Sequence, residues 1–260
     1  MSKKFFIYCN ESKKSQEAKR KLTASFRKAG CIMSPDAQNI VVLGGDGTFV
    51  HAYNTYAKKN VKMVLINTGL VGFYSIDLKP EAKAIIKYFD NDNNFYKPDV
   101  VACEVNNKTY YAINEILIEG INTISADIAI NNNHYEWFWG SGLCFCTKTG
   151  STGLNKSLKN AILLTKSKIW EMSEVSPLAH AKYLSIGNAV VLDENHKVTL
   201  TNLKANGQLV LMNDGYEHVV DSKSSFTLYL TMLNAKIGFY KELKPYLNKL
   251  QKVFIIGEKK

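Results

Sequence analysis

Short apolar runs alternate with helix-forming stretches over about the first third of the chain. Residues 4–9, 39–43 and 61–66 have the length and apolar content of buried strands. Capping residues, apolar spacing and a proline suited to a first helical turn predict helices over residues 12–29, about 48–59 and about 80–89. This alternation predicts a doubly wound α/β domain, in which ligands bind at the carboxyl ends of the strands.

The pattern changes after a polar stretch at residues 90–94. From Pro98 to about Tyr240, short β-type runs are separated by Asn, Gly and Asp, and the Asn-rich stretches at 106–107 and 131–133 suggest hairpins. Residues 153–164 have a more helical pattern. We therefore expect an antiparallel β domain with one embedded helix. A short helix at 240–252 and a last apolar segment at 253–256 follow, and the pattern alone leaves the packing of that segment open.

Residues 44–48, Gly-Gly-Asp-Gly-Thr, form a glycine turn between a predicted strand and a predicted helix. Glycine accepts positive φ and lets a ligand approach with no Cβ in the way, and amides beside a helix N-terminus suit phosphate. Asp46 would repel a phosphate that it merely touched. Its place in the loop favours a proton acceptor, or a contact with a metal or a hydroxyl beside the phosphates. The alternative is a tight turn in which Asp46 caps the helix.

Three further segments carry groups that could bind a nucleotide. A second glycine turn at 67–74 ends in Phe73 and Tyr74, whose rings either pack against a base or belong to a core. Asn114 and Glu115 follow a predicted strand at 110–113, and they either bind ribose hydroxyls or form a solvated strand end. Residues 147–157 place hydroxyl and glycine residues directly before a predicted helix. This arrangement fits either a site for a polar ligand or an ordinary N-cap.

Composition narrows the classes of function. The formal net charge of +10 suits a polyanionic ligand, but the lysines are scattered with no basic block, so we expect no nucleic-acid partner. Five cysteines without a Cys-x-x-Cys pair indicate reduced thiols. The five histidines show no metal-ligand spacing, and no apolar stretch has the length of a signal peptide or a membrane span. We expect a cytoplasmic protein with no membrane partner.

Four motifs in order resemble the NAD kinase family. They are the loop at 44–48, the glycine turn at 69–73, the Asn114-Glu115 pair, and Thr-Gly-Ser-Thr at 149–152 followed by Asn-Lys-Ser at 155–157. The resemblance covers about residues 40–210. It implies a Rossmann-like α/β domain of residues 1–97, completed by the C-terminal tail at 240–260, and a β-rich, sandwich-like NAD-binding domain of residues 98–239.

The same resemblance implies a reaction and its partners. The enzyme would transfer a phosphate from ATP or polyphosphate to the adenosine 2′-hydroxyl of NAD, with a divalent metal ion, Mg²⁺ being expected. It would be a homo-oligomer, a dimer or a tetramer. The aromatic run at 135–139 agrees with an oligomer, because its side chains occupy both faces of a strand and at least one face has to be covered.

The resemblance also assigns roles to residues. Asp46 would be the general base, and Gly44, Gly45, Gly47 and Thr48 would bind the phosphates. The NAD-binding set that it implies is Asp46, Gly47, His51, Phe73, Tyr74, Asn114, Glu115, Thr152, Gly153, Leu154, Asn155, Ser157 and Ser176.

Three positions depart from the family's usual pattern. Ser141 stands where the family has Asp between two glycines, Gly153-Leu154 where it has Ala-Tyr, and Asn206 where it has Asp. All three lie on the NAD side, so they bear on substrate affinity and on the choice between NAD and NADH. Two other functions stay open: a lipid kinase of the diacylglycerol or sphingoid type, which shares the glycine loop, and a non-catalytic dinucleotide sensor.

Overall fold

The chain in this computed structural model divides into two compact units. The first combines Met1–Pro98 with Leu233–Lys260, and the second is Asp99–Met232. The structure describes residues 3–69, 72–178, 185–221, 223–240 and 242–256.

Strands are the most abundant regular element of the described chain. In chain order they are β1 (Lys4–Cys9), β2 (Ile32–Met33), β3 (Asn39–Gly44), β4 (Lys62–Asn67), β5 (Phe95–Tyr96), β6 (Asp99–Val105), β7 (Lys108–Ala112), β8 (Glu115–Ile130), β9 (Asn133–Thr147), β10 (Ile169–Val175), β11 (Val190–Asp193), β12 (Lys197–Ala205), β13 (Leu209–Asn213), β14 (Tyr216–Val220), β15 (Phe226–Met232) and β16 (Lys236–Gly238). The α-helices are α1 (Lys13–Lys28), α2 (Asp46–Tyr56), α3 (Ala82–Asp90), α4 (Leu154–Ser157) and α5 (Leu243–Leu250). Single 3₁₀ turns occur at Asp92–Asn94 and Gly150–Thr152, and Gln251–Ile256 is π-helical.

The first unit is built on a mostly parallel sheet in the order β2-β1-β3-β4-β16-β5, in which β5 alone among the described strands runs antiparallel to its neighbour. Strands β3 and β4 are continuous apolar runs because both of their faces are covered; Val41, Val42, Val64 and Leu65 are fully buried. After β1 the chain moves to β2 on one side, and after β3 it moves to β4 on the other. Since crossovers are right-handed, the carboxyl ends of β1 and β3 form the switch point at which such sheets bind ligands.

Capping residues in the sequence predict the ends of α1 closely, but the sequence predicts the start of α3 less well. Ser12 is the N-cap of α1, since its hydroxyl accepts a hydrogen bond from the Ser15 amide at 3.2 Å, and Gly30 follows the helix at φ +75°. Helix α3 begins at Ala82 with Glu81 as its N-cap. Pro80 therefore precedes the helix, and the prediction that it lies in the first turn is wrong.

The second unit contains an antiparallel sheet in the order β11-β10-β9-β8-β12-β15-β6-β7, with β13 and β14 as a hairpin beside β8. Strand β8 pairs with β13 along its first part and with β12 along its second part. A register shift between Glu119 and Ile124 separates the two parts, so one long strand serves two neighbours. The core of this unit is aromatic and aliphatic, and it includes Phe138, Phe145, Trp170 and Phe226, all fully buried.

One predicted element of the later chain is wrong. The helix expected at residues 153–164 is only α4, Leu154–Ser157, because Lys159 takes a left-handed conformation at φ +68° that a helix cannot continue through. The apolar end at 253–256 lies in the π-helical segment. The later element that joins the first sheet is β16, parallel to β4, and it precedes the expected boundary at residue 240. None of the described helices is both long and apolar enough to cross a membrane.

Candidate active site

The glycine loop joins β3 to α2 at the switch point. Gly45 is the N-cap at φ −103°, and Gly44 and Gly47 are not among the glycines with positive φ. The loop therefore does not use the left-handed backbone that glycine allows. Close approach explains Gly44 instead, because a Cβ there would overlap the Thr48 side chain. A Cβ on Gly47 would meet nothing within 4 Å, so this position faces open space.

The start of α2 has the properties of an anion site. Its first intrahelical hydrogen bond runs from the Phe49 amide to the Gly45 carbonyl at 3.1 Å. The amides of residues 46–48 precede that bond and have no intrahelical acceptor. They lie at the positive end of an 11-residue helix, beside the open position of Gly47. This part of the loop can bind phosphate.

The carboxylate of Asp46 contacts the second glycine turn. Its Oδ2 accepts a hydrogen bond from the Phe73 amide and its Oδ1 one from the Tyr74 amide, both at 2.8 Å. The alternative in which Asp46 caps its own helix is not what the structure shows, since Gly45 occupies the cap. Burial raises the pKa of Asp46, while the amides of Tyr74 and Phe73 and the charge of Lys249 act in the lowering direction. Asp46 is thus a half-buried carboxylate with an elevated pKa, suited to accepting a proton.

Phe73 and Tyr74 belong to the core through their rings. Both side chains are buried, and the Tyr74 ring stacks on Phe49 with centroids 4.9 Å apart. The Phe73 ring packs against Phe239 and Tyr246. Of the two alternatives for these aromatics, the structure shows the core. Their contribution to the site comes through the amides that bind Asp46.

Asn10 is a residue of this site that the sequence patterns did not reveal. It follows β1, and its side-chain amide donates to Thr48 Oγ1 at 3.1 Å, which links the two strand ends at the switch point. Its Oδ1 accepts from the Ser12 hydroxyl at 2.8 Å. A polar residue just after the first strand was the available signal. His51, one turn further along α2, is exposed and forms a hydrogen bond with the Tyr8 hydroxyl.

In the second unit, the Asn114-Glu115 pair is held by Asp214. The Asp214 carboxylate, in the turn between β13 and β14, accepts from the amides of Ile113, Asn114 and Glu115 at 2.9, 2.8 and 3.3 Å. The sequence offered no link between these residues, which are about 100 positions apart. Asp214 fixes the backbone from which both candidate ribose-binding side chains project.

Glu115 is not a solvated strand end. Its Oε2 has no accessible surface and accepts no hydrogen bond from the residues that the structure describes. Burial, followed by the charge of Asp214, raises the pKa of Glu115 to about 8. A carboxyl group with an unfilled acceptor and an elevated pKa is a common feature of binding and catalytic sites.

The hydroxyl-rich segment at 147–153 packs against this pair. The Thr147 amide donates to the Asn114 carbonyl at 2.9 Å, and the Thr147 hydroxyl donates to the Ile113 carbonyl at 2.6 Å. Gly150 is required here because a Cβ would overlap the Asn114 backbone. A Cβ on Gly153 would lie 3.2 Å from Glu115 Oε2. The structure thus brings Asn114 and Glu115 together with the start of the segment at 150–157.

The remaining predicted residues of the second unit differ in exposure. Thr152 is buried and its hydroxyl donates to the Thr149 carbonyl at 2.9 Å, whereas Ser157 and Ser176 are exposed. Asn155 is fully buried, and its amide donates to Glu171 Oε1 at 3.2 Å. Glu171 is itself fully buried, and no motif or pattern in the sequence indicated its role as a partner of Asn155.

Comparisons with known proteins find relatives in one family. The ATP-NAD kinase N-terminal domain family matches residues 3–92. The NAD kinase of Ureaplasma parvum serovar 3 is 36% identical over 221 residues, which cover 84% of this chain and 82% of that protein. The NAD kinase of Limosilactobacillus reuteri is 30% identical over 242 residues, 89% of this chain and 88% of that protein.

The chain belongs to the NAD kinase family.

Two solved structures support the same fold for the family member described here. A yeast NADH kinase complexed with NADH superposes with a TM-score of 0.80 at 14% identity, covering 97% of this chain and 87% of that one. An NAD kinase from Archaeoglobus fulgidus in complex with ATP gives 0.77 at 16% identity, covering 95% and 98%. At these identities the likeness establishes the fold.

The three departures from the NAD kinase pattern all fall in the second unit. Ser141 lies in β9 and is half-buried. Gly153 is exposed beside Glu115. Asn206 is exposed in the turn after β12, and its amide donates to the Thr123 carbonyl at 3.0 Å. The loop at 44–48 in the first unit keeps the family sequence.

Proposed function

We propose that this chain transfers the terminal phosphate of ATP to the adenosine 2′-hydroxyl of NAD, giving NADP. The observation that carries this proposal is the loop at the switch point. There, one short segment offers helix N-terminal amides for phosphate, an open position at Gly47 and the elevated pKa of Asp46. NAD is the proposed phosphate acceptor because the chain belongs to the NAD kinase family.

The phosphate donor would bind at residues 44–48. Gly44, Gly45, Gly47 and Thr48 present backbone amides and one hydroxyl, and an approaching phosphate meets no Cβ at Gly47. Asp46 does not repel it as strongly as its position suggests, because two amides of the second turn bind its carboxylate. ATP is the proposed donor, and polyphosphate would use the same amides.

Asp46 would act as the general base. As the NAD 2′-oxygen bonds to the γ-phosphorus, the bond between that phosphorus and the β,γ-bridging oxygen breaks, and ADP leaves. The proton of the 2′-hydroxyl passes to a carboxylate oxygen of Asp46. Each of these oxygens accepts one amide hydrogen bond and keeps a lone pair for this transfer. The raised pKa of Asp46 favours accepting the proton.

NAD would be bound by the residues that the family resemblance assigns to it. Asn114 and Glu115 would hold a ribose, with the free Oε2 of Glu115 as the acceptor. The adenine side would lie against Thr152, Gly153, Leu154, Asn155 and Ser157. The exposed His51 and Ser176, together with Gly47 and the backbone at Phe73 and Tyr74, complete the proposed set.

A divalent metal ion would enter with ATP, and we propose Mg²⁺. This ion binds substrate phosphates together with one or two carboxylates rather than a complete protein cage. The amides of the loop would bind the phosphates that carry the ion, while Asp46, whose two oxygens each accept an amide hydrogen bond, is kept for the proton transfer. The metal would neutralise phosphate charge. Among the residues that the structure describes, no group of three or more His, Cys, Asp or Glu could hold a metal.

We further propose a cytoplasmic homo-oligomer. The five cysteines are free thiols, which agrees with a reducing compartment. The second unit exposes large apolar side chains, including Ile121 at 68%, Trp137 at 48% and Val219 at 68%. Such exposure in a soluble unit favours association with another copy.

One assay tests the proposed function. The purified protein is incubated with ATP and Mg²⁺, and with either NAD or diacylglycerol. Formation of NADP supports the proposal, and a phosphorylated lipid would identify a lipid kinase instead. Tight NAD binding without turnover would identify a sensor. Repeating the NAD reaction with polyphosphate, and with NADH, assigns the donor and the preferred acceptor.

A further inference from the structure

The second glycine turn is held from two sides. On one side it donates the Phe73 and Tyr74 amides to Asp46 of α2. On the other, Lys249 Nζ of α5 donates to Ser75 Oγ at 2.8 Å, and Ser75 Oγ donates to the Gly72 carbonyl at 2.7 Å. Asp46, the proposed base, and Lys249 of α5 therefore both bind the turn at residues 72–75.

Lys249 is an unusual lysine. It is only 7% exposed, whereas lysines are rarely buried unless they have a charge or polar partner. Its bond to Ser75 is also buried, although the two residues are 174 positions apart. Burying an ammonium group costs free energy, so a nearby anion is needed to offset it. Asp46, whose electrostatic interaction with Lys249 favours its charged form, is such an anion.

We infer that Lys249 is a positioning residue for the proposed general base, holding the 72–75 turn in place and keeping Asp46 ionised. This inference rests on the proposed role of Asp46. A base has to be deprotonated before it can accept the 2′-hydroxyl proton, and burial alone works against that state. The C-terminal helix thus contributes directly to the chemistry of the loop, through its charge and its hydrogen bond to Ser75.

Other titratable groups lie on the elements packed here. They include His51, Tyr53 and Tyr56 of α2, Tyr74 and Asp77 after β4, Tyr240, Lys244 and Tyr246, and Lys252 in the tail. Burial raises the pKa of Tyr246 to about 12, so its phenol stays neutral across the working range. Lys252 lies 4.0 Å from Asp77 and pairs with it. His51 is an exposed imidazole on α2, one turn after the loop, so it needs its own control.

The test compares the pH profiles of kcat/KM in three variants. Lys249→Gln removes the charge and keeps a donor for Ser75, Lys249→Arg keeps the charge, and Lys244→Met removes an exposed charge from the same helix. We expect the acid limb of Lys249→Gln to move to higher pH, because Asp46 loses the cation that favours its ionised form. Lys249→Arg and Lys244→Met should keep the parent's acid limb. Repeating the Gln comparison in a His51→Gln background removes the histidine from the profile.

Rates and folding complete the test. Displacing the turn should lower kcat of Lys249→Gln by up to about 100-fold, since a misplaced group costs on that order. If this variant does not fold, Ser75→Ala is measured instead. It removes the hydroxyl that accepts the hydrogen bond of the Lys249 ammonium group. We expect its acid limb to move to higher pH, by less than that of Lys249→Gln. An unmoved acid limb in a folded Lys249→Gln, or in Ser75→Ala, overturns the inference about Lys249 alone. If Asp46→Asn keeps the parent's rate and acid limb, Asp46 is not the general base, and the inference about Lys249 is wrong as well.

Discussion

Asp214 Oδ1 lies 2.8 Å from the backbone nitrogen of Asn114, and the same carboxylate also binds the amides on either side. An aspartate in a hairpin turn thereby sets the position of a strand end that is distant in sequence. We expect Asp214→Asn to leave at least one of these three amides without an acceptor. The loss should be about 1–3 kcal/mol of unfolding free energy, measured by denaturant titration.

The kinetic effect of Asp214→Asn should appear in NAD binding. A displaced Asn114-Glu115 backbone raises KM for NAD, while KM for ATP stays near the parent's value. Glu217→Gln is the matched control, because Glu217 is an exposed acidic residue of the same hairpin. If both variants behave alike in stability and KM, Asp214 has no special part in holding the strand end.

Glu115 should make stability depend on pH. The pKa of Glu115 is about 8 in the folded chain, against 4.5 for an ordinary glutamate. Between these pH values the folded state holds a proton that the unfolded state has lost, so the free energy of unfolding falls as pH rises through this window. We expect Glu115→Gln, which cannot ionise, to melt close to the parent at pH 4.5 and at a higher temperature than the parent at pH 9. Melting curves with parallel pH dependence would contradict the raised pKa.

The same substitution should weaken catalysis in a pH-dependent way. Glu115 is charged mainly above pH 8, and only a charged carboxylate is a stronger acceptor for ribose hydroxyls than the amide that replaces it. The loss in kcat/KM for NAD should reach about 1.5–3 kcal/mol at pH 9 and shrink toward pH 6. A ratio of parent to variant that stays near one at every pH removes Glu115 from the ribose site.

Two glycines of the loop should respond oppositely to alanine. A Cβ on Gly44 overlaps the Thr48 side chain, so Gly44→Ala should lower the melting temperature. Gly47→Ala meets no protein atom and lies in the first turn of α2 without positive φ, where alanine stabilises by reducing the conformational entropy of the unfolded chain. We expect Gly47→Ala to be at least as stable as the parent and to have a raised KM for ATP. An unchanged KM for ATP in this folded variant would show that phosphate does not approach Gly47.

The oligomeric state has its own test. Light scattering at micromolar concentration should give a multiple of the chain mass of 29.2 kDa. Trp137→Ser, which removes an aromatic side chain that is 48% exposed, should lower that mass if the surface at β9 is the contact. A monomeric mass for the parent would refute the oligomer.

Much of the first unit follows from local patterns. The apolar runs predict β3 and β4 because both faces of these strands are buried, and Ser12 and Gly30 mark the ends of α1 through their own hydrogen bond and backbone angle. The motif at 44–48 indicates a phosphate loop. Its sequence does not show where the Asp46 carboxylate points, since both of its partners lie 27 and 28 residues later.

What the patterns missed depends on contacts between distant parts of the chain. Asp214, Lys249 and strand β16 each act on a segment that is about 100 or more positions away. The three residues of β16 are too few to show a period. The prediction of a helix at 153–164 was wrong for a local reason, because the backbone of Lys159 is left-handed. Lysine rarely adopts that conformation, so the sequence did not indicate it.

The turnover of Asp46→Asn tests whether Asp46 is the general base. Asparagine keeps the size of the side chain and one acceptor for the second turn, but it lacks the basicity of the carboxylate. We predict a fall in kcat of about 10²–10⁴-fold, the usual contribution of a general base, with NAD still bound and a melting temperature close to that of the parent. A folded Asp46→Asn variant that forms NADP at most of the parent's rate would contradict this role of Asp46, because the loop would then bind phosphate without supplying the base.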